Sequence, residues 1–477
     1  MASISSTGLG SGLDVTSIVS SLMSVERQPL TKMQSAASDL QTKLSAYGKV
    51  QSYVSTLRDA ANKLSKSATW GTTTSTSADT SVVTASSNST SAVAGTYSVS
   101  VSALATSQAV ASGSFSDKTA TLGSGSLSIE LGSWSADQSS FSAKSGSSPV
   151  SVSVAATDTL ADIRDKINKA DAGVKATLVT DTTGTRLVMR SVDTGVENGF
   201  RITAADDDLN NTNSSGLSAL AFDPSASVTS MTRTQAAGNA QAQINGLSVT
   251  SASNTLSDVV EGVSLKLNKV STTPVDVSVA TDTDTLKTAI TDFAKAYNDL
   301  ATYLTNQTKY DPTTKASATF QGDSAMNSLR SGLRALGTSS SGSSSTLQRL
   351  TSMGLDPQAD GTLKTDSSKL TAALGNVSEL KKLFVTSGSS IGMGEKLRSW
   401  GDKLLDIDGS VTARQASLQK QVSANSKQQD QFGLRMTSVE ARMKAQYTAL
   451  DTTMSKISGL SNYVTQQLTA IANTKSA

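Results

Sequence analysis

The most regular apolar pattern in the chain lies close to its C-terminal end. Phe432, Met436, Val439, Met443, Tyr447, Leu450, Met454, Ile457, Leu460, Val464, Leu468 and Ile471 follow one another at gaps of three or four residues, the spacing of one helix face. The mean step is about 3.5 residues, close to a coiled-coil period. With Met436 at heptad position a, Met443, Leu450, Ile457, Val464 and Ile471 share that position. Val439 and Leu460 fall at d, where Gln446, Thr453 and Gln467 interrupt, and Tyr447, Met454 and Leu468 fall at e. A stripe spread over a, d and e is wider than a two-stranded seam requires. It predicts a helix over roughly 411–471 that packs against more than one partner. Buried or half-buried, Gln446 and Gln467 would cost stability there and could fix register. Arg435 and Arg442 at g and Glu440 at e are suited to pairing across helices.

A second helical pattern opens the chain. Asp14 is placed to cap a helix carrying Val15, Ile18, Val19, Leu22 and Met23. After Pro29 a cleaner stripe runs Leu30, Met33, Ala37, Leu40, Leu44, Tyr47, Val50, Val54, Leu57, Ala61 and Leu64. Two gaps of three fall together beside Gly48, which shifts the stripe around its helix. That shift reads either as a joint with different neighbours on each side or as a local twist in one continuous helix. The simplest partner for the C-terminal stripe is this one, through Leu30, Met33, Leu40, Leu44, Tyr47, Val54, Leu57 and Leu64, closing a hairpin within the chain. A stripe that continues to Ile471 exceeds what such a hairpin must cover, so its last turns are expected to serve between molecules.

Between the two helical ends the period changes from 3.6 to 2. "TYSVSVSAL" at 96–104, "SLSIEL" at 126–131, "VSVSVA" at 150–155, "TRLVMRS" at 185–191, "GVSLKLN" at 262–268 and "VDVSVA" at 275–280 read as strands. One amphipathic helix interrupts them, "DTLADIRDKINKA", with Leu160, Ile163 and Ile167 on one face. Helical pattern returns at 281–304, where Asp284 is a candidate cap and Leu286, Ile290, Phe293, Tyr297, Leu300 and Leu304 point inward. "LGTSSSGSSST" at 336–346 reads as a flexible linker or loop, followed by the helical stretches "SSKLTAAL" and "SELKKLF". The order helix, β region, helix predicts an α+β multidomain chain: terminal α-helical coiled-coil or bundle legs with inserted, mainly antiparallel β domains.

Composition narrows the chemistry. At 477 residues the chain has room for two to four domains. Aromatics are only 4%, so several small Ala/Val/Leu-rich cores are expected. The net charge of +2, from 41 basic and 39 acidic residues, gives no global reason to expect nucleic acid, which usually needs a clustered basic face. Cys and His are both absent, which removes disulfides, thiolate nucleophiles and the commonest general base and metal ligand. No apolar window is long enough to span a membrane. "MASISSTGLGSGLDVTS" lacks the basic and apolar regions of a Sec-type signal and reads as a polar, mobile leader. Its "GLGSG" lacks the strand before and the Lys-Ser/Thr after that a phosphate loop needs. "ADDDLN" at 205–210 does not fit an EF-hand loop and reads as a solvated turn. Asp282 and Asp284 suit helix capping better than catalysis. No Ser/Lys pair stands out, so a Ser–Lys hydrolase has nothing specific behind it, and no enzyme, cofactor or metal is expected.

The termini carry a resemblance. "GLGSGLDVTSIVSSLMSVERQPL", "LSAYGKVQSYVSTLRDAANKL" and "VEARMKAQYTALDTTMSKISGLSNYVTQQL" are similar to the ends of the flagellar hook-associated protein 2 family, the filament-capping FliD proteins. "DTLADIRDKINKADAGVKATLVTDTTGTRLVMRSVDTGVENGFRI" resembles the flagellin-type hook IN motif. "AQINGLSVTSASNTLSDVVEGVSLKLNKV" resembles the strand-turn-strand run before the returning helix of capping proteins. The resemblance covers nearly the whole chain, and only 105–150 could belong to many β domains. It implies a secreted structural protein at the distal tip of the bacterial flagellar filament, exported unfolded through the flagellar type III channel. It implies a homo-oligomeric ring, a pentamer or hexamer, that promotes flagellin insertion and meets the hook–filament junction proteins. It further implies that a cytoplasmic export chaperone binds the C-terminal helical region. On this resemblance 1–47 and 411–477 form the leg, and 48–66 with 281–410 a helical bundle domain. Residues 67–105 with 231–280 then form an inner β domain, and 106–230 an outer one with the hook IN-like motif. The alternative from another class is a secreted adhesin whose Ser/Thr-rich β domains bind host glycans.

Overall fold

The computed structural model of the chain describes residues 14–87, 91–313 and 315–474. The leader motif "GLGSG" lies outside the described residues. In chain order the α-helices are α1 (Val15–Glu26), α2 (Gln28–Ser65), α3 (Leu160–Lys169), α4 (Thr283–Thr308), α5 (Ser324–Thr338), α6 (Ser367–Leu374), α7 (Val377–Phe384), α8 (Met393–Leu405) and α9 (Ser410–Thr474). The chain divides into two compact units: residues up to Trp70 with those from Leu286 onward, and Gly71–Thr285.

In the helical unit, Asp14 caps α1 by accepting the Ser17 N–H at 2.9 Å. Only Arg27 separates α1 from α2, whose first turn holds Pro29; proline's missing N–H is harmless there. α2 runs unbroken through Gly48, yet its neighbours change at that point. Leu30, Met33, Ala37, Leu40 and Leu44 are half-buried, whereas Tyr47, Val50, Val54, Leu57, Ala61 and Leu64 are fully buried. The second group enters a core shared with α4 to α8. The two readings of the Gly48 shift therefore merge: one continuous helix, with different neighbours on each side.

Aromatic rings set the centre of that core. Trp70 stacks on Phe384 with centroids 5.5 Å apart, and Phe293 meets Phe384 edge-on at 5.9 Å. The Trp70 Nε1–H donates to the Leu64 carbonyl at 2.8 Å, so the ring is buried without an orphaned donor. Leu286, Ile290, Phe293, Tyr297, Leu300 and Leu304 of α4 all point inward. The cap of α4 is not Asp284 as expected but Asp282, which accepts both the N–H of Thr285 at 2.8 Å and its hydroxyl at 2.6 Å. The helix begins at Thr283, two residues earlier than a cap at Asp284 implies, and a cap lies just outside it.

The Ser-rich run at 336–346 is a pinned loop rather than a flexible linker. Ser341 and Ser344 are buried. The Ser344 hydroxyl donates to Glu379 Oε2 at 2.6 Å, and Lys382 Nζ donates to Glu379 Oε1 at 2.6 Å. These two partners, Lys382 first, hold the Glu379 carboxyl down at about 2. Ser341 N–H reaches the Gln348 carbonyl at 2.7 Å, and Lys396 Nζ the Ser340 carbonyl at 2.7 Å. Hydroxyls satisfied inside the fold look, in sequence, like hydroxyls waiting for water.

In the β unit every described ladder is antiparallel. One five-stranded sheet has the spatial order Thr73–Ser77, Ser271–Thr281, Gly95–Ala103, Ala240–Ile244, Leu247–Ser251. Together with the sheet Thr255–Val260, Val263–Leu267, Val83–Ser87 it encloses a small aliphatic core around Val99, Val101, Leu265, Val277 and Val279. A second core is closed by two four-stranded sheets and α3. Leu160, Ile163 and Ile167 enter it, and Thr159 with Asp162 forms a capping box at the start of α3. The six expected strands are present; Thr73–Ser77, "TTSTS", escaped the reading because it has no apolar alternation to detect.

Side-chain amides finish several strand edges. Gln108 exchanges both hydrogen bonds with the backbone of Phe200 (2.7 and 3.1 Å), Asn168 with Ala176 (2.9 and 2.8 Å) and Asn254 with Ala105 (2.8 and 2.7 Å). An amide pairs with a peptide unit as another peptide would, which satisfies buried polar backbone where no strand is available.

One buried polar contact of the helical unit gives a pH signature. Burial pushes the Tyr297 phenol up to about 12, and its hydroxyl donates to the Leu333 carbonyl at 3.0 Å. A raised acid stabilises the fold fully below its unfolded value near 10 and loses that contribution as pH climbs towards 12. Tyr297→Phe is expected to cost about 0.5–1.5 kcal/mol at neutral pH and to weaken the fall in stability between pH 10 and 12, read by urea unfolding at stepped pH.

Candidate assembly face on the C-terminal helix

α9 is one helix of 65 residues, about 97 Å long at 1.5 Å per residue. Its lower part belongs to the helical core, where Val411 and Leu418 are buried. Moving up α9 means moving down α2 in number. Gly48 lies opposite Gln415, the Gln429 side chain donates to the Met33 carbonyl at 3.4 Å, and Arg27 pairs with Glu440 at 3.3 Å. α2 and then α1 therefore run antiparallel along α9.

Above that point α1 is the partner. Val15, Val19 and Met23, spaced i, i+4, i+8, are buried with Met436, and Phe432, Val439, Met443 and Tyr447 pack around them. Burying such side chains is worth roughly 1.5–3 kcal/mol each. Glu440 bridges the pair from the side. Its bond to Lys444 at 2.8 Å, and then Arg27, hold its carboxyl below the ordinary range. The ion pair across the helices thus uses Arg27 rather than Arg435 or Arg442.

The stripe changes character at Leu450. Leu450, Met454, Ile457, Leu460, Val464, Leu468 and Ile471 are between 42% and 64% exposed. The exposed stretch of helix, 450–471, spans about 32 Å. Only Asp451 and Lys456 carry charge within it. Gln446 and Gln467 are exposed as well, so neither is buried in the single chain.

The hairpin closes lower than the sequence implied. Leu30, Met33, Leu40 and Leu44 face the part of α9 below the regular stripe, while Tyr47, Val54, Leu57 and Leu64 are held in the helical core. The partner of 432–447 is α1, through Val15, Val19 and Met23, a role not assigned from the sequence. The signal was present in the cap at Asp14 and the three evenly spaced apolar residues that follow.

Among the described residues no group of three or more acidic, His or Cys side chains is arranged to hold a metal. Asp206, in the acidic turn, is buried and accepts the Ser218 N–H at 3.1 Å, so it is a structural acceptor rather than the solvated residue expected. No described helix is long and apolar enough to cross a membrane.

The family model for the flagellar hook-associated protein 2 N-terminus matches residues 11–108, that for its C-terminus matches 237–459, and the flagellin hook IN motif matches 140–193. Flagellar hook-associated protein 2 of Escherichia coli strain K12 is 33% identical over 492 aligned positions, covering the whole of both chains. The chain belongs to the flagellar hook-associated protein 2 family. The Salmonella typhimurium member is 34% identical over 99% of each chain. The crystal structure of the D1-D2-D3 domains of the flagellar cap protein FliD from Escherichia coli matches with a TM-score of 0.62 at 31% identity, covering 78% of this chain and all but 1% of that one. Membership in this hook-associated protein 2 family makes the chain a structural flagellar cap protein. The adhesin alternative gains no support from these comparisons.

The division of the stripe has a measurable consequence. Met436→Ala, at a buried position, is expected to cost about 2–5 kcal/mol of α1 docking, whereas Leu460→Ala should change the stability of the single chain by less than about 0.5 kcal/mol. Hydrogen exchange of α1 amides in dilute protein reads both.

Proposed function

We propose that this chain works as an oligomeric assembly factor at the distal tip of the flagellar filament, where it promotes insertion and polymerisation of flagellin. The observation that carries this reading is the exposed apolar stripe of α9. A row of half-exposed Leu, Ile, Met and Val over about 32 Å marks an interaction surface on α9.

In this reading 1–47 and 411–477 are the leg, 48–66 with 281–410 the helical bundle domain, 67–105 with 231–280 the inner β domain and 106–230 the outer one. Copies associate through the legs into a ring of five or six. The leg also meets flagellin and the hook–filament junction proteins. Before export a cytoplasmic chaperone occupies the same stripe, which keeps it from premature association. Secretion through the flagellar channel as an extended chain is supported by the absence of Cys, since no disulfide can obstruct passage.

Light scattering and electron microscopy of the full chain test this. A ring-sized assembly at micromolar concentration is expected, and removal of the residues after 448 should abolish it. A full chain that stays monomeric across that range contradicts the proposal.

A further inference from the structure

The covered and exposed parts of α9 carry the same pattern twice. Met436, Val439, Met443 and Tyr447, which seat α1 within the chain, are followed three heptads later by Ile457, Leu460, Val464 and Leu468. The exposed segment is thus a second seat of the same spacing, about 32 Å further along the same helix. Both belong to one apolar face, so the second seat is continuous with an interface already formed.

α1 offers a face to fit it. Beside the buried row Val15, Val19 and Met23, the helix carries Ile18, Leu22 and Val25, spaced i, i+4, i+7. Ile18 is half-buried, while Leu22 is 37% and Val25 61% exposed. A helix this short gains nothing by showing three apolar residues to water. We infer that the second seat on α9 receives the Ile18/Leu22/Val25 face of α1 from a second copy of this chain. The proposal rests on the reading of the stripe as an assembly surface and names its partner.

Such a contact is heterologous: each copy gives its α9 seat to one neighbour and its α1 face to another. It can therefore link more than two chains, which a symmetric stripe-on-stripe pairing cannot. Neither face is used up by the intramolecular α1–α9 packing, so forming the assembly does not require α1 to leave its own chain.

Because the chain contains no Cys, site-specific disulfide trapping is clean. Full-length protein bearing Leu22→Cys is mixed with full-length protein bearing Leu460→Cys under mild oxidation. A disulfide-linked dimer containing one copy of each is the expected product. Dimers of Leu460→Cys alone mean that stripes pack on stripes, and overturn the proposal. Absence of any cross-link, whether the seat is then covered by the chain's own first residues or by nothing, overturns it too. A second measurement separates this from the broader reading. Leu22→Ser with Val25→Ser, both at exposed positions, should abolish assembly in sedimentation without moving the melting temperature. If Ile457→Ser with Leu460→Ser abolishes assembly but the α1 pair does not, the stripe remains an assembly surface and the α1 face is not its partner.

Discussion

The antiparallel packing of α1 and α2 against one continuous helix, α9, is the constraint on which the helical unit depends. It joins residues more than 400 positions apart, as the Arg27–Glu440 pair illustrates. Everything between them is held as an insertion whose two ends must emerge together. The helical core secures the lower part of that packing through Tyr47, Val50, Val54 and Leu57 on one strand of the hairpin and Val411 and Leu418 on the other. Above the core only two helices remain, and full burial narrows to Val15, Val19, Met23 and Met436, with half-buried side chains around them.

That gradient explains why one repeating stripe can serve two purposes. A helix in a multi-helix core has neighbours on most sides, so its apolar face is fully removed from water. A helix with one partner keeps part of a wide a/d/e face exposed, and a helix beyond its partner keeps all of it. α9 passes through the three situations in order, and from Phe432 to Ile471 its apolar period is unbroken across the last two. The apolar side chains of 450–471 stay about half exposed among the described residues, so their further burial can stabilise contact with another molecule.

Much of the architecture was legible because local periodicity and tertiary burial agree. Ile163 and Ile167 of α3, and Phe293 and Tyr297 of α4, sit where their spacing places them. The alternating strands from Gly95–Ala103 to Ser271–Thr281 do so as well. Some elements with a clear apolar pattern were passed over, such as Gly199–Asp206 with Phe200 and Ile202 and α5 with Met326, Leu329 and Leu333; others were decided by hydrogen bonds. "TTSTS" forms a strand because Ser271–Thr281 lies beside it, and the Ser-rich run at 336–346 is fixed by Glu379, Gln348 and Lys396. Asp282 replaces Asp284 as a cap by accepting the backbone N–H of Thr285 and also its hydroxyl, contacts that no hydropathy scale weighs. At the assembly face the stripe itself was plain. The point where α1 stops covering it was not, because periodicity reports that a face is apolar and says nothing about which helix reaches it.

In the proposed assembly the stripe divides near Leu450 into a part closed within the chain and a part closed between chains. Hydrogen exchange across a dilution series tests this most directly. Amides at 432–447 should be protected to the same degree at every concentration. Those at 450–471 should exchange quickly in dilute protein and become protected as the protein assembles. Equal, concentration-independent protection of both segments would contradict the account.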